Sequence, residues 1–100
     1  MFKLQPNPTF WAKVPLTVPG KSAPVMLDFE FHYLAEDERK NLFENRTAQE
    51  VALEIVADWK GIDEPFSQEA LGKLYKNYAR AVIDVLETYN RELLESRRKN

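Results

Sequence analysis

Five of the six prolines lie before residue 25, at positions 6, 8, 15, 19 and 24, and only Pro65 follows. A proline within a helix removes an amide donor and clashes with the preceding turn, so this spacing closes the first quarter of the chain to helix. What it leaves open is strand and turn, with helices afterwards, inside one domain. The side chains agree. Phe10, Ala12, Val14, Leu16 and Val18 alternate with Trp11, Lys13, Pro15 and Thr17, and Val25, Leu27, Phe29, Phe31 and Tyr33 alternate with Met26, Asp28, Glu30 and His32. A period of two with one apolar face predicts two half-buried antiparallel strands. Pro19-Gly20-Lys21-Ser22 between them is turn chemistry and makes the pair a hairpin. Pro15 lacks an amide proton, which assigns its strand to an edge or to a bulge. A hairpin is marginal alone, so its apolar face must rest on the helices that follow.

Those helices have readable starts. Residues 35–45 are charged and helix-prone, anchored by Leu42 and Phe43. Thr47-Ala48-Gln49-Glu50 is a capping box, and the helix it opens carries Val51, Ala52, Ile55, Val56 and Trp59 on one face until Gly61 stops it. Ser67 caps the next helix, with Leu71, Leu74, Tyr75 and Tyr78 as its apolar positions, and a last segment over about 79–97 follows with little or no break. The expected fold class is α+β: an N-terminal antiparallel hairpin or small sheet packed on three to four C-terminal helices. Residues 1–34 form the β-rich part, 35–97 the helical part and 98–100 a basic tail of one domain spanning 1–100.

Composition narrows the function classes. The chain has 100 residues, no cysteine and one histidine, which removes disulfides, thiolate metal sites and cysteine nucleophiles, and leaves a His-based triad hard to assemble. Three glycines and no phosphate-binding loop argue against nucleotide chemistry. A hydrophobic share of 44% is too high for a disordered chain, and no apolar run approaches the ~20 residues of a membrane span. With no signal-peptide pattern, a soluble intracellular domain is expected. The net charge of −2 is uneven: residues 35–64 carry nine acids against four bases, and residues 65–100 seven bases against five acids. Such asymmetry can orient a partner or a second copy, or simply solvate two helix faces.

Few constellations point to chemistry. Asp28, Glu30 and His32 share one strand face, but alternation already explains them as its polar side. Asn45-Arg46-Thr47 matches a glycosylation sequon, yet Thr47 is better accounted for as a cap. Arg97-Arg98-Lys99 is a short basic end without the interleaved aromatics of a nucleic-acid contact.

Apolar surface is more informative. Ala79, Val82, Ile83, Val85, Leu86, Tyr89, Leu93 and Leu94 fill about half the circumference of the last helix, wider than the stripe a surface helix needs. The surplus predicts contact with two surfaces, the core and a partner or second copy; plain core packing is the competing account. Asn90 falls inside this stripe, where a polar group either stays wet or hydrogen-bonds across an interface. Trp11 and Met26 stand on the otherwise polar side of the hairpin and form a patch there, unless a helix or residues 1–4 cover them.

Phe2-Lys3-Leu4, Thr9-Phe10-Trp11-Ala12-Lys13-Val14, Pro19-Gly20 and the strand that leads into Glu36 and Glu38 come first along the chain. Val56-Ala57-Asp58-Trp59-Lys60-Gly61, Pro65-Phe66-Ser67-Gln68-Glu69-Ala70-Leu71, Leu74 and the terminal Lys99-Asn100 follow. In this order the features resemble the tail assembly chaperones of long-tailed bacteriophages and prophages, most strongly over 56–61 and 65–71. The chain departs at Tyr78-Ala79-Arg80, where a proline would start the last helix, and this leaves the separation of the last two helices open.

The resemblance implies binding without catalysis, cofactor or metal. Its client would be the tape measure protein, kept soluble in the host bacterial cytoplasm until the tail tube forms, after which the chaperone is absent from the virion. It also implies a longer product, made by ribosomal frameshifting near the end of the frame, that recruits tail tube protein. Lys99-Asn100 is encodable by AAA-AAC, which with a preceding A makes a slippery run. Weak self-association is expected, with no nucleic acid and no membrane as partner. The contact residues expected are Val85, Tyr89, Leu93 and Leu94, then Trp11 and Met26, whereas Trp59 and Phe66 are assigned to the fold as a helix anchor and a plug. The rival readings are a minor tail or head–tail joining subunit, and a small regulatory or nucleic-acid-binding module.

Overall fold

The computed structural model describes residues 1–95. The alternating segments become β1 (Thr9–Leu16) and β2 (Val25–His32), paired antiparallel from Thr9 opposite His32 to Leu16 opposite Val25. Their connection begins with a type II turn. Lys21 N–H donates to the Val18 carbonyl at 3.1 Å across Pro19-Gly20, and Gly20 takes the positive φ of 86° that this turn demands at its third position. Pro15 sits on the outer strand of the sheet, as its missing donor requires.

Helices α1 (Glu36–Asn45) and α2 (Ala48–Glu54) follow. The Thr47 capping box forms in full: Thr47 Oγ1 accepts from Glu50 N–H at 3.2 Å, and Glu50 Oε1 accepts from Thr47 N–H at 2.9 Å. The second bond holds the Glu50 carboxyl below its ordinary range.

Beyond α2 the structure departs from the periodicity. The helix ends at Glu54, and Val56–Lys60 form β3, so Trp59 anchors a strand and not a helix. The spacing of Val51, Ala52, Ile55, Val56 and Trp59 suits a helix, but a helix there would leave the second edge of β2 unpaired and buried. Pairing satisfies that edge: β3 lies antiparallel to β2 in the order β1-β2-β3, and His32 N–H donates to the Ile55 carbonyl at 2.8 Å. The small sheet thus has three strands, and Gly61, at φ 84°, ends a strand. Trp59 packs edge-on to Phe29 (6.1 Å) and Phe66 (5.3 Å), and its indole N–H donates to the Glu64 carbonyl at 2.9 Å. Phe66 plugs the fold ahead of the Ser67 cap as expected.

Ser67 Oγ accepts from Ala70 N–H at 2.9 Å and starts α3 (Gln68–Asn77). The last two helices are separate: Tyr78 ends α3, and α4 runs over Ala81–Leu94. The expected helix end beyond Glu95 and the basic tail lie outside the described residues. The architecture is α+β, with the helices on one face of the sheet. Its core joins Val14, Leu16, Phe29 and Phe31 of the sheet to Val51, Leu71, Tyr75, Val85 and Tyr89 of the helices.

Candidate partner-binding surface

The wide stripe of α4 meets two surfaces, and both belong to this chain. Val85 and Tyr89 are completely buried. The Tyr89 ring lies 6.0 Å from Phe10, 5.4 Å from Phe31 and 6.5 Å from Phe43, and its hydroxyl donates to the His32 carbonyl at 2.9 Å. Sheet on one side and the preceding helices on the other account for most of the stripe's width. Val85 and Tyr89 therefore serve the core, which corrects their assignment to an exposed contact. Burial pushes the Tyr89 phenol up to about 12 and raises that of Tyr75, whose hydroxyl donates to the Ala52 carbonyl at 2.8 Å.

The other four candidates keep surface in different degrees. Leu93 is half-buried against the core, and Leu94 is 58% exposed; Ile83, on the same helix, is exposed too. Asn90, between them, has a buried side-chain oxygen with no hydrogen-bond partner among the described residues. Trp11 is 41% exposed and Met26 52% exposed, both on the sheet face opposite the helices. Residues 1–4 leave them uncovered, because Phe2 and Leu4 themselves stand in solvent.

Trp11 and Met26 share a groove of about 410 Å³ that runs beside β1, with Lys13, Pro15 and Asp28 on its floor and Arg91 and Glu92 of α4 on its wall. Charges organise this face. Lys13 and Asp28 pair at 2.8 Å across the two strands, Thr9 Oγ1 donates to Glu30 at 2.7 Å, and Lys60 Nζ lies 4.4 Å from the centre of the Trp11 ring. Asp28 and Glu30 are thus engaged by neighbouring strand residues, and His32 stands exposed at the strand's end.

One residue outside the sequence-based expectations matters here. Asp84 is buried at the base of α4, accepting from Thr17 N–H at 2.8 Å and from Arg80 Nε at 3.2 Å. It fastens the helix to the end of β1. The only trace of it in the sequence is the i, i+4 spacing from Arg80.

Among the described residues no group of His, Asp or Glu side chains is placed to hold a metal ion, and no helix is long and apolar enough to cross a membrane. The surface offers apolar and aromatic contact area bordered by paired charges, which is the chemistry of protein recognition. Comparison with curated proteins and with solved structures gives no significant match. The family model described as phage tail assembly chaperone matches residues 1–100, the whole of the sequence, and the chain belongs to that family.

Proposed function

We propose that this chain holds a tape measure protein in solution during phage tail assembly and acts by contact alone, without catalysis. The family match over the full length carries this reading. Exposed Leu94 and Ile83 on α4, and Trp11 and Met26 on the bare sheet face, supply apolar area that the chain's own core does not use. Leu93, half-buried beside Leu94, contributes its rim. A holdase needs such surface in small patches, since one large patch would make the chaperone itself aggregate. The work is done in the host cytoplasm before the tube closes, and weak self-association along the exposed edge of α4 lets several copies line one client. A frameshifted longer product would add the contact to tail tube protein.

Co-expression with the tape measure protein encoded in the same phage or prophage tests the reading. The wild-type chain should raise the client's soluble fraction several-fold and co-purify with it, and Leu94→Glu should remove most of that effect while leaving the chaperone's circular dichroism unchanged. An insoluble client in the presence of abundant wild-type chain would refute it. Mass spectrometry of purified virions should find no copy of this chain; stoichiometric copies would instead establish a structural tail subunit.

A further inference from the structure

The two edges of the sheet differ. In the pairing of β1 with β2, Tyr33 N–H donates to the Pro8 carbonyl at 2.8 Å, and the register continues the alternation so that Phe10, Ala12, Val14 and Leu16 direct their backbone groups at β2. The amides and carbonyls of Trp11 and Lys13 therefore point away from the sheet. Further along, the outward Thr17 N–H is taken by Asp84, and Pro15 has none to offer. On the opposite edge, the Trp59 N–H of β3 is capped by the Asp58 carboxylate at 2.8 Å. Natural sheets blunt exposed edges in this way. Among the described residues the outward backbone groups from Thr9 to Lys13 have no such acceptor, and this stretch borders the groove that holds Trp11 and Met26, with Arg91 and Glu92 of α4 also lining it.

The same chain carries a segment of matching design. Residues 1–5 alternate Phe2 and Leu4 with Lys3 and Gln5, and Phe2 and Leu4 are 88% and 94% exposed. They line a groove with Tyr33. At about 3.3 Å per residue five extended residues span roughly 16 Å, the length of edge from Thr9 to Lys13. Pro6 and Pro8 end the pairing potential of the segment, as Pro15 ends that of the edge.

We infer that residues 1–5 of one copy add as a fourth strand to the open β1 edge of a second copy, with Phe2 and Leu4 lying on the outer face beside Trp11. The strand bonds to Trp11 and Lys13 supply the register, and the two apolar side chains supply contact area. The copy that donates its segment keeps its own β1 edge available, so the contact can pass from copy to copy. This interface is distinct from the α4 edge assigned above to self contact, and it uses part of the sheet face, at Trp11, assigned above to the client.

The absence of cysteine makes the test clean. Full-length L4C and K13C variants are mixed and treated with a short bismaleimide, with L4C plus E69C, on the exposed start of α3, as the control pair. A covalent dimer from the first mixture, at least tenfold more abundant than from the control, is the expected result. The double variant F2E/L4E should weaken self-association at least tenfold in sedimentation velocity with its circular dichroism unchanged. Equal cross-linking in the control pair, closure within a single L4C/K13C chain without dimer, or undiminished association of F2E/L4E would each overturn the proposal. The protein is tested without client, so failure here leaves the chaperone reading standing; L94E should leave the cross-link intact.

Discussion

The two faces of one small sheet share a backbone and differ in nearly everything else. On the inner face Val14, Phe29 and Phe31 are fully buried under the helices, and Phe10 stacks on Tyr89. On the outer face Trp11 and Met26 stand among Lys13, Asp28, Glu30 and Lys60, with charges answered by neighbours on adjacent strands. Period-two alternation dictates this division, since a slip by one residue would exchange the faces. The lesson is that folding requires only one face to be apolar. Aromatic and thioether groups placed on the other are left for work outside the fold.

The sharpest way to break the comparison is to make equivalent truncations on the two sides. Phe31→Ala on the inner face should cost about 3–5 kcal/mol, a cavity beside Phe10, Phe29 and Tyr89 that the surrounding rings cannot fill. Urea denaturation gives the value, and a loss under 1 kcal/mol would mean that the inner face is not the core. Next in size is Asp84→Ala, expected at roughly 1–3 kcal/mol, because it leaves the Thr17 amide without its acceptor at the seam between α4 and β1. Asp84→Asn should recover part of this, since the amide oxygen still accepts.

The faces were legible from the sequence because alternation is a local property, and so were the caps at Thr47 and Ser67. β3 was not. Val51, Ile55, Val56 and Trp59 fit a helical stripe as well as a helix followed by a strand, and what decides is a partner far away in sequence, the unpaired edge of β2. The contact surface divides similarly. Trp11 and Met26 break their strand's polar alternation, a mark visible without structure, and they are indeed exposed. Val85 and Tyr89 belong to a stripe whose width raised the expectation of a partner surface beyond the core, and both are buried within the core instead. Periodicity cannot say whether the second neighbour is another molecule or, as here, Phe43 and the preceding helices of the same chain.

A smaller effect probes the seam where inner face and helices meet. Tyr89→Phe keeps the ring and removes the hydroxyl that donates to the His32 carbonyl, for an expected loss of about 1 kcal/mol at neutral pH. The difference should change sign in alkali. A free tyrosine ionises near pH ~10, whereas the buried phenol resists until about 12. The unfolded chain therefore releases this proton first, and the contribution of neutral Tyr89, complete below pH ~10, declines as pH rises towards the folded value. Denaturation midpoints at pH 8, 10 and 11 should fall more steeply for wild type than for Tyr89→Phe. Parallel slopes would show that Tyr89 is not held neutral by burial.

The smallest effect on stability is the most informative about function. Trp11→Ser with Met26→Ser removes two exposed side chains and one cation–aromatic contact, so the double variant should lose no more than about 1 kcal/mol. Lys13 and Asp28 still pair, and the inner-face register is untouched. If the outer face exists only to cover the core, client solubilisation should follow stability and hardly change. If it is kept apolar for contact, solubilisation should fall several-fold at nearly constant stability, the reverse of the pattern for Asp84→Ala. Measuring soluble client against urea midpoint for the two variants side by side separates these cases. A double variant that solubilised client as well as wild type would confine the contact surface to Leu94 and its neighbours on α4.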